Sequence, residues 1–356
     1  MQAEKDILDF IVIGAQKAGT TSLFQYLRHH PEVSLPDGKE VPYFSHDTAY
    51  ARGWTAYMRN LACNGERDVA DPVRKWGTVT PHYMVGGVYQ STGDAAVKDN
   101  YDERTVPSRI HECLPNVRLI AILRDPVERA VSHHRMAVMT GRERRSFDDA
   151  IGELLRPDAL QRSRRYPQET MGYIAWGEYG RILAGYFDLF PREQLLVVFT
   201  DELERAPAKL LGRIQEFIGV RADFEPPNLG ERYRVGATER GFSWISPSSW
   251  ISPTSPLSPQ GAQRALGRNI VARAVWRAMP EAHRLRLSRP YERVARRAAR
   301  RNRRSAPNQV GTNAEPSLET LARLREHYAQ DATQLAVLLG ATPSWQAPGG
   351  PETTER

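Results

Sequence analysis

Three short, continuous apolar runs punctuate the chain: Asp9-Phe-Ile-Val-Ile-Gly14, Val117-Arg-Leu-Ile-Ala-Ile-Leu123 and Leu195-Leu-Val-Val-Phe199. Each is short for a helix and lacks the alternation of a half-exposed strand, so each predicts a buried strand of a parallel sheet. The first leads into Ala15-Gln-Lys-Ala-Gly-Thr-Thr-Ser22 and then into a helical pattern with Leu23 and Leu27 on one face. The second continues through Arg124-Asp-Pro126 into a helix carrying Val127, Ala130, Val131 and Met136; proline at the first helical position suits that start. Helical patterns from Ile174 to Phe187 and from Leu210 to Ile218 flank the third run. Strands alternating with helices predict an α/β fold: three layers around a central parallel sheet, with a glycine-containing turn at the first strand's end.

After Phe217 the texture changes. Residues 243–260 are rich in serine and proline and contain the pentapeptide SWISP twice. Prolines this frequent exclude a long helix or a central strand, so a long loop is expected, its tryptophans either covering a neighbouring helix or forming a lid. Residues 262–279 and 285–298 place apolar side chains at helical spacing with arginines between, and Leu318 to Leu339 reads as an amphipathic helix. The expected organisation is a core over residues 1–242, a Ser/Pro-rich loop and arginine-rich helical insertion over 243–310, a helix returning to the core over 311–345, and a tail over 346–356.

Composition sharpens this reading. With 356 residues, 40% hydrophobic and 26% charged, the chain has globular usage and is long enough for one large domain or two ordinary ones. No apolar run approaches the length of a membrane span, and the opening MQAEKDILDF lacks the pattern of a secretory signal. Cys63 and Cys113 are the only cysteines, too few for a disulfide framework and suited to a reducing compartment. The net charge of +7 is local in origin: between Arg264 and Arg304 fourteen arginines face only Glu281 and Glu292, a balance of +12 that leaves −5 for the rest of the chain. The basic pI is therefore poor evidence that the whole fold binds nucleic acid.

The turn after the first strand has the composition of an anion cradle. Main-chain N–H groups at a helix start attract phosphate, Lys17 adds full charge, and Thr20, Thr21 and Ser22 add hydroxyl donors. Lys17 precedes Gly19 instead of following the last glycine, so the nucleotide-triphosphatase pattern GxxxxGK[ST] is absent. Ordinary ATP or GTP hydrolysis is disfavoured, which leaves a nucleotide kinase as a weaker alternative. In the second turn, Arg124 follows a buried strand and can grip phosphate with its planar fork, and Ser132 lies about two helical turns further on.

These two turns, together with Lys39-Glu-Val-Pro-Tyr-Phe44, Gly177-Glu-Tyr179, Arg323-Leu-Arg-Glu-His-Tyr328 and Trp345, resemble the sulfotransferases that use 3′-phosphoadenosine 5′-phosphosulfate (PAPS). Within that family the chain is most similar to the carbohydrate branch typified by heparan-sulfate sulfotransferases. The resemblance covers roughly Phe10 to Ile218 and resumes near Leu318. It implies that Lys17, Ala18, Gly19, Thr20, Thr21 and Ser22 hold the 5′-phosphosulfate, that Arg124 and Ser132 hold the 3′-phosphate, and that Tyr179 lies near the nucleotide. It points to Glu40 as the base, although Pro42 stands where the family carries a histidine and Val79 where many relatives carry a catalytic lysine. No clean counterpart exists for the family's late Lys-Gly-Arg-like loop. Its carbohydrate members in animals are usually anchored in the Golgi, and the missing anchor suggests a bacterial member.

The expected reaction is in-line transfer of a sulfuryl group from PAPS to a hydroxyl, or less readily an amine, of a carbohydrate, glycolipid or small natural product, releasing adenosine 3′,5′-bisphosphate (PAP). Lys17 is expected to stabilise the leaving group. Glu40, or alternatively His82 in Thr80-Pro-His-Tyr83, is expected to take the proton. No metal is expected: His29-His30 and His133-His134 lack ligand spacing and read as helix-surface residues. A cytoplasmic location is expected. The arginine-rich segment is expected to be a solvated face or a substrate-side insertion, with peripheral contact to an anionic surface possible and no specific nucleic acid. A nucleic-acid- or anionic-lipid-binding protein is the competing class.

Overall fold

The computed structural model describes residues 8–36, 39–61, 74–85, 87, 103–165, 167–233 and 315–346, all within one compact unit made of residues 1–240 and 310–356. Both SWISP segments, the arginine-rich stretch and the C-terminal tail lie outside the described residues.

Five parallel strands form the central sheet: β1 (Phe10–Gly14), β2 (Val33–Ser34), β3 (Lys75–Val79), β4 (Arg118–Leu123) and β5 (Leu195–Phe199), in the spatial order β2-β3-β1-β4-β5. Register is fixed by pairs such as Ile11–Thr78, Ile11–Leu119 and Ala121–Val197. All five β1 residues are buried, as the continuous apolar run predicts for the middle of a sheet covered on both faces. Gly77 in β3 has a packing cause: a Cβ there would stand 2.2 Å from the Phe10 ring.

Helices enclose the sheet. They are α1 (Thr20–Leu27), α2 (Asp47–Tyr50), α3 (Trp54–Leu61), α4 (Thr105–Cys113), α5 (Pro126–Met139), α6 (Phe147–Leu154), α7 (Pro157–Arg165), α8 (Gly172–Ala175), α9 (Tyr179–Phe187), α10 (Thr200–Arg205), α11 (Pro207–Ile218) and α12 (Leu318–Leu339). Leu23 and Leu27 of α1 are fully buried against the sheet, each contributing about 1.5–3 kcal/mol. A second apolar cluster, including Val127, Ala130, Phe147, Ile151 and Tyr173, joins α5, α6 and α8.

The helix expected from Ile174 to Phe187 is broken after Ala175. The break presents the first N–H groups of α9 to α12, whose Asp331 accepts from Gly180 N at 2.9 Å and Arg181 N at 2.8 Å. Tyr328 of α12 donates to the Ile174 carbonyl at 3.0 Å. A Cβ on Gly177 would lie 2.7 Å from the Tyr328 hydroxyl oxygen. The late helix therefore docks into the interruption, a tertiary cause that helical periodicity does not carry.

Candidate active site

Open parallel sheets bind ligands at the carboxyl ends of their strands. Three neighbouring strands, β3, β1 and β4, end here in the turns carrying His82, Lys17 and Arg124.

The central turn runs from Ala15 to Gly19. Pairing of β1 with β4 shifts register between Val12 and Gly14, and Ala15 N donates to the Ile122 carbonyl at 2.7 Å. Thr200 Oγ1 sits 2.7 Å from the Ala18 carbonyl and 3.0 Å from that of Leu123, joining the turn to the end of β4. Gly19 is in the left-handed region at φ 98°, where glycine is favoured, and Lys17 shares that region at φ 72°. Since Gly19 at the N-cap of α1 brings no side-chain acceptor, the first N–H groups of the helix have no side-chain cap. This geometry fits an anionic phosphate or sulfate group. Thr20 and Ser22 are buried and Thr21 is half-buried; Ser22 Oγ accepts from Tyr233 N at 3.2 Å, which ties the cradle to the chain after α11.

The second turn is set by Asp125, which caps α5 by accepting from Val127 N at 2.8 Å and Glu128 N at 3.0 Å. Arg124, just before that cap, is partly exposed and donates from Nε and an Nη to one oxygen of Glu128 at 2.9 and 2.8 Å. Ser132 is half-buried on α5. Tyr179 is 1% exposed and packs against Trp345 with the rings tilted by 59°. Burial raises its hydroxyl pKa well above the ordinary value, while Arg129 and the Arg124 main chain pull it down. It is a core residue beneath the Arg124 turn.

The third turn brings both candidate bases together. Tyr83 OH donates to the Val41 carbonyl at 2.9 Å and accepts from Tyr43 N at 3.0 Å. These bonds clamp the main chain on either side of Pro42, directly after Glu40, to the turn holding His82. His82 Nδ1 consequently lies 3.9 Å from Glu40 Oε2. Lys39 Nζ donates to the other Glu40 oxygen at 3.0 Å. Glu40 is exposed at its 36% accessible side chain, while His82 keeps 18%.

Behind His82 stands Glu169, from the segment between α7 and α8, which sequence reasoning did not single out. Gln16 Nε2, inside the turn that carries Lys17, donates to Glu169 Oε1 at 3.0 Å and lies 3.4 Å from His82 Nε2. The same carboxylate approaches His82 Nε2 at 3.9 Å, His133 Nε2 at 3.3 Å and Arg142 at 3.7 Å. His133 stacks on Trp176 with ring centroids 5.0 Å apart. Burial lowers the His133 pKa to about 4, and the Arg129 and Lys17 charges push the same way, so it is neutral at pH 7. Burial also pulls His82 down, but hydrogen bonding to Glu169 and the charges of Glu40 and Glu169 outweigh it and raise its pKa above the ordinary 6.5. Burial would raise Glu169; its two histidine partners instead hold it well below the ordinary carboxylate range.

The expectation that the paired histidines lie on helix surfaces is corrected for three of the four. His30, His133 and His134 are buried, and only His29 is exposed. His30 accepts from Glu32 N at 3.0 Å and lies 2.9 Å from the Arg221 carbonyl, a structural role. Among the described residues no group of three or more histidine, cysteine or acidic side chains could hold a metal ion.

The chain is thus an α/β protein whose parallel sheet ends, on three neighbouring strands, in a lysine-bearing turn, an arginine turn to one side of it and a histidine turn beside Glu40 to the other. The sulfotransferase domain family matches residues 8–232, and the chain belongs to that family. Human heparan sulfate glucosamine 3-O-sulfotransferase 3A1 is 27% identical over 229 residues, covering 62% of this chain and 46% of the relative. Human heparan sulfate glucosamine 3-O-sulfotransferase 6 is 26% identical over 213 residues, covering 59% and 52%. The chain thus spans about half the length of the curated relatives it matches. A crystal structure of a sulfotransferase from Alicyclobacillus acidocaldarius superposes with a TM-score of 0.58 at 20% identity, covering 96% of this chain and 99% of that one, a likeness of fold.

Proposed function

We propose that this chain is a PAPS-dependent sulfotransferase acting on a hydroxyl, or less readily an amine, of a carbohydrate, glycolipid or small natural product. The observation that carries the reading is the placement of Lys17, Arg124 and His82 in the turns after three adjacent strands, with Glu40 beside His82. PAPS, when bound, brings an activated sulfuryl group, so the protein's task is positioning and charge stabilisation.

The N–H groups at the start of α1, with Thr20 and Thr21, would hold the 5′-phosphosulfate end. Arg124, released from Glu128, would grip the 3′-phosphate with Ser132 as a second donor. Lys17 would offset the negative charge that develops on the leaving oxygen, an interaction stronger in the transition state than before it. Glu40 or His82 would take the acceptor's proton as its oxygen attacks. Tyr179 would act by supporting the Arg124 turn from beneath. A cytoplasmic location belongs to the same proposal and rests on cysteine scarcity; among the described residues no helix is long and apolar enough to cross a membrane.

Labelled PAPS with a panel of hydroxyl and amine acceptors tests the reading. Lys17→Ala is expected to lower kcat about 100-fold or more, and Arg124→Ala to weaken PAP binding about 10-fold or more. Normal turnover by both variants would remove the site assignment. PAP should raise Tm more than ATP does at equal concentration.

A further inference from the structure

Glu169 is costly to bury, at 10% side-chain exposure, unless its charge is answered. Its answers come from an unusual set of places: the phosphate turn, the turn after β3, α5 and the segment after α5. An ordinary core ion pair would fix two elements. This carboxylate contacts two imidazoles and an amide one residue from Lys17, and one of those imidazoles touches the exposed Glu40.

We propose that Glu169 is a positioning residue for proton transfer, which orients His82 against Glu40 and couples that pair to the phosphate turn through Gln16. The proposal rests on the sulfotransferase reading. As the acceptor oxygen forms its bond to sulfur, the electron pair of the breaking S–O bond leaves with PAP. The acceptor's proton ends on the His82 imidazole, taken up directly or through Glu40. The imidazolium then stands between two carboxylates, an arrangement that stabilises it as a buried carboxylate stabilises the imidazolium of a hydrolytic triad.

Charged neighbours from several elements enter this balance. Glu40 and Lys39 face His82 from the segment before α2, and Glu169 from the segment before α8; Gln16 and the edge of the Trp176 ring also lie beside it. Beyond Glu169 stand His133, which Arg129 and Lys17 help keep neutral, and Arg142. A neutral His133 makes Glu169→Gln a mild replacement on that side, since a side-chain amide can hydrogen-bond a neutral imidazole.

The test follows His82 in the full-length chain by NMR titration of its ring, alongside the pH dependence of sulfuryl transfer. A base must be deprotonated, so activity falls as pH drops through the His82 pKa. Removing the Glu169 charge is expected to move the His82 midpoint and the acid limb of kcat together to lower pH. In the same variant kcat at its plateau is expected to drop about 10-fold or more, with PAP affinity within about 2-fold. Glu169→Asp, which retains the charge, should keep a higher midpoint than Glu169→Gln; equal midpoints would assign the effect to packing and overturn the proposal. An unmoved midpoint, or a moved midpoint with an unmoved rate limb, also overturns it while leaving the sulfotransferase reading intact. If the midpoint moves as expected but the wild-type chain transfers sulfuryl to no acceptor, the functional reading falls and the Glu169–His82 coupling stands.

Discussion

Arg124 donates two hydrogen bonds to one oxygen of Glu128, four residues along α5. That pair competes with any phosphate drawn to the guanidinium, so Glu128→Gln is expected to tighten PAP binding. Both side chains are partly exposed, at 31% and 57%, so the pair itself is worth only about 0.3–0.5 kcal/mol. Removing a carboxylate from beside a dianionic phosphate adds roughly another 0.5–1 kcal/mol at water-like screening. Together they give about 0.8–1.5 kcal/mol, or a PAP Kd about 4–13-fold tighter. Adenosine 5′-monophosphate lacks the 3′-phosphate and should change by less than about 1.5-fold. Without ligand, loss of an acidic group from the first turn of α5 should cost about 0.3–1 kcal/mol. Calorimetric titration of both nucleotides at low and high salt is the assay, and the gain should shrink as salt screens the exposed charges. An unchanged or weaker PAP affinity, or an equal gain for the monophosphate, would refute the assignment of Arg124 to the 3′-phosphate.

Two further outcomes follow from the same structure. Gly19→Ala places a side chain at φ 98° and 3.2 Å from Leu203 Cδ2, which should cost about 1–2 kcal/mol and reduce the rise in Tm produced by PAP; an unaltered PAP response would show that the cradle does not need this conformation. Burial would raise Glu178, but His327, Arg164 and Arg181 hold it at about 2 against an ordinary 4.5. Because the folded pKa is the lower one, its contribution is complete above the ordinary value and is lost as pH falls toward 2. The Tm gap between wild type and Glu178→Gln should therefore be constant well above the ordinary carboxylate pKa and narrow steadily as pH falls from about 4.5 toward 2; a gap as wide at pH 2.5 as at pH 7 would disprove the role of the charge.

The central sheet was readable because burial on both faces writes itself as unbroken apolar sequence: β1 and β4 begin one residue inside the runs at Asp9 and Val117, and β5 matches its run fully. α12 matches its periodic segment because a long surface helix needs a continuous apolar stripe. The turns carrying Lys17 and Arg124 were legible as strand-to-helix turns next to those strands. What escaped was set by partners distant in sequence. Glu169 lies 153 residues from Gln16, in a segment with no periodicity of its own. His133 reads as a surface residue on α5, yet Trp176 stacks on it and Arg129 lies beside it within a layer buried under α8. The break at residues 176–178 exists because Asp331 and Tyr328 of α12 fill it.

The region around Glu40 shows how one short segment can supply two needs at once. The resemblance leads one to expect a histidine where the chain has Pro42, and proline brings neither an imidazole nor an N–H. Its neighbours lose nothing by that, because the Val41 carbonyl and the Tyr43 N–H both bond the Tyr83 hydroxyl. The residue before that tyrosine is His82, so the side chain that clamps the Glu40 segment and the imidazole that meets Glu40 arrive on adjacent positions of one turn. A fixed proline, a tyrosine clamp and a histidine carried from β3 therefore form a self-consistent arrangement. Within it the placement of His82 beside Glu40 depends on Tyr83, which bonds the Val41–Tyr43 segment, and on Glu169, which meets His82 from the segment before α8.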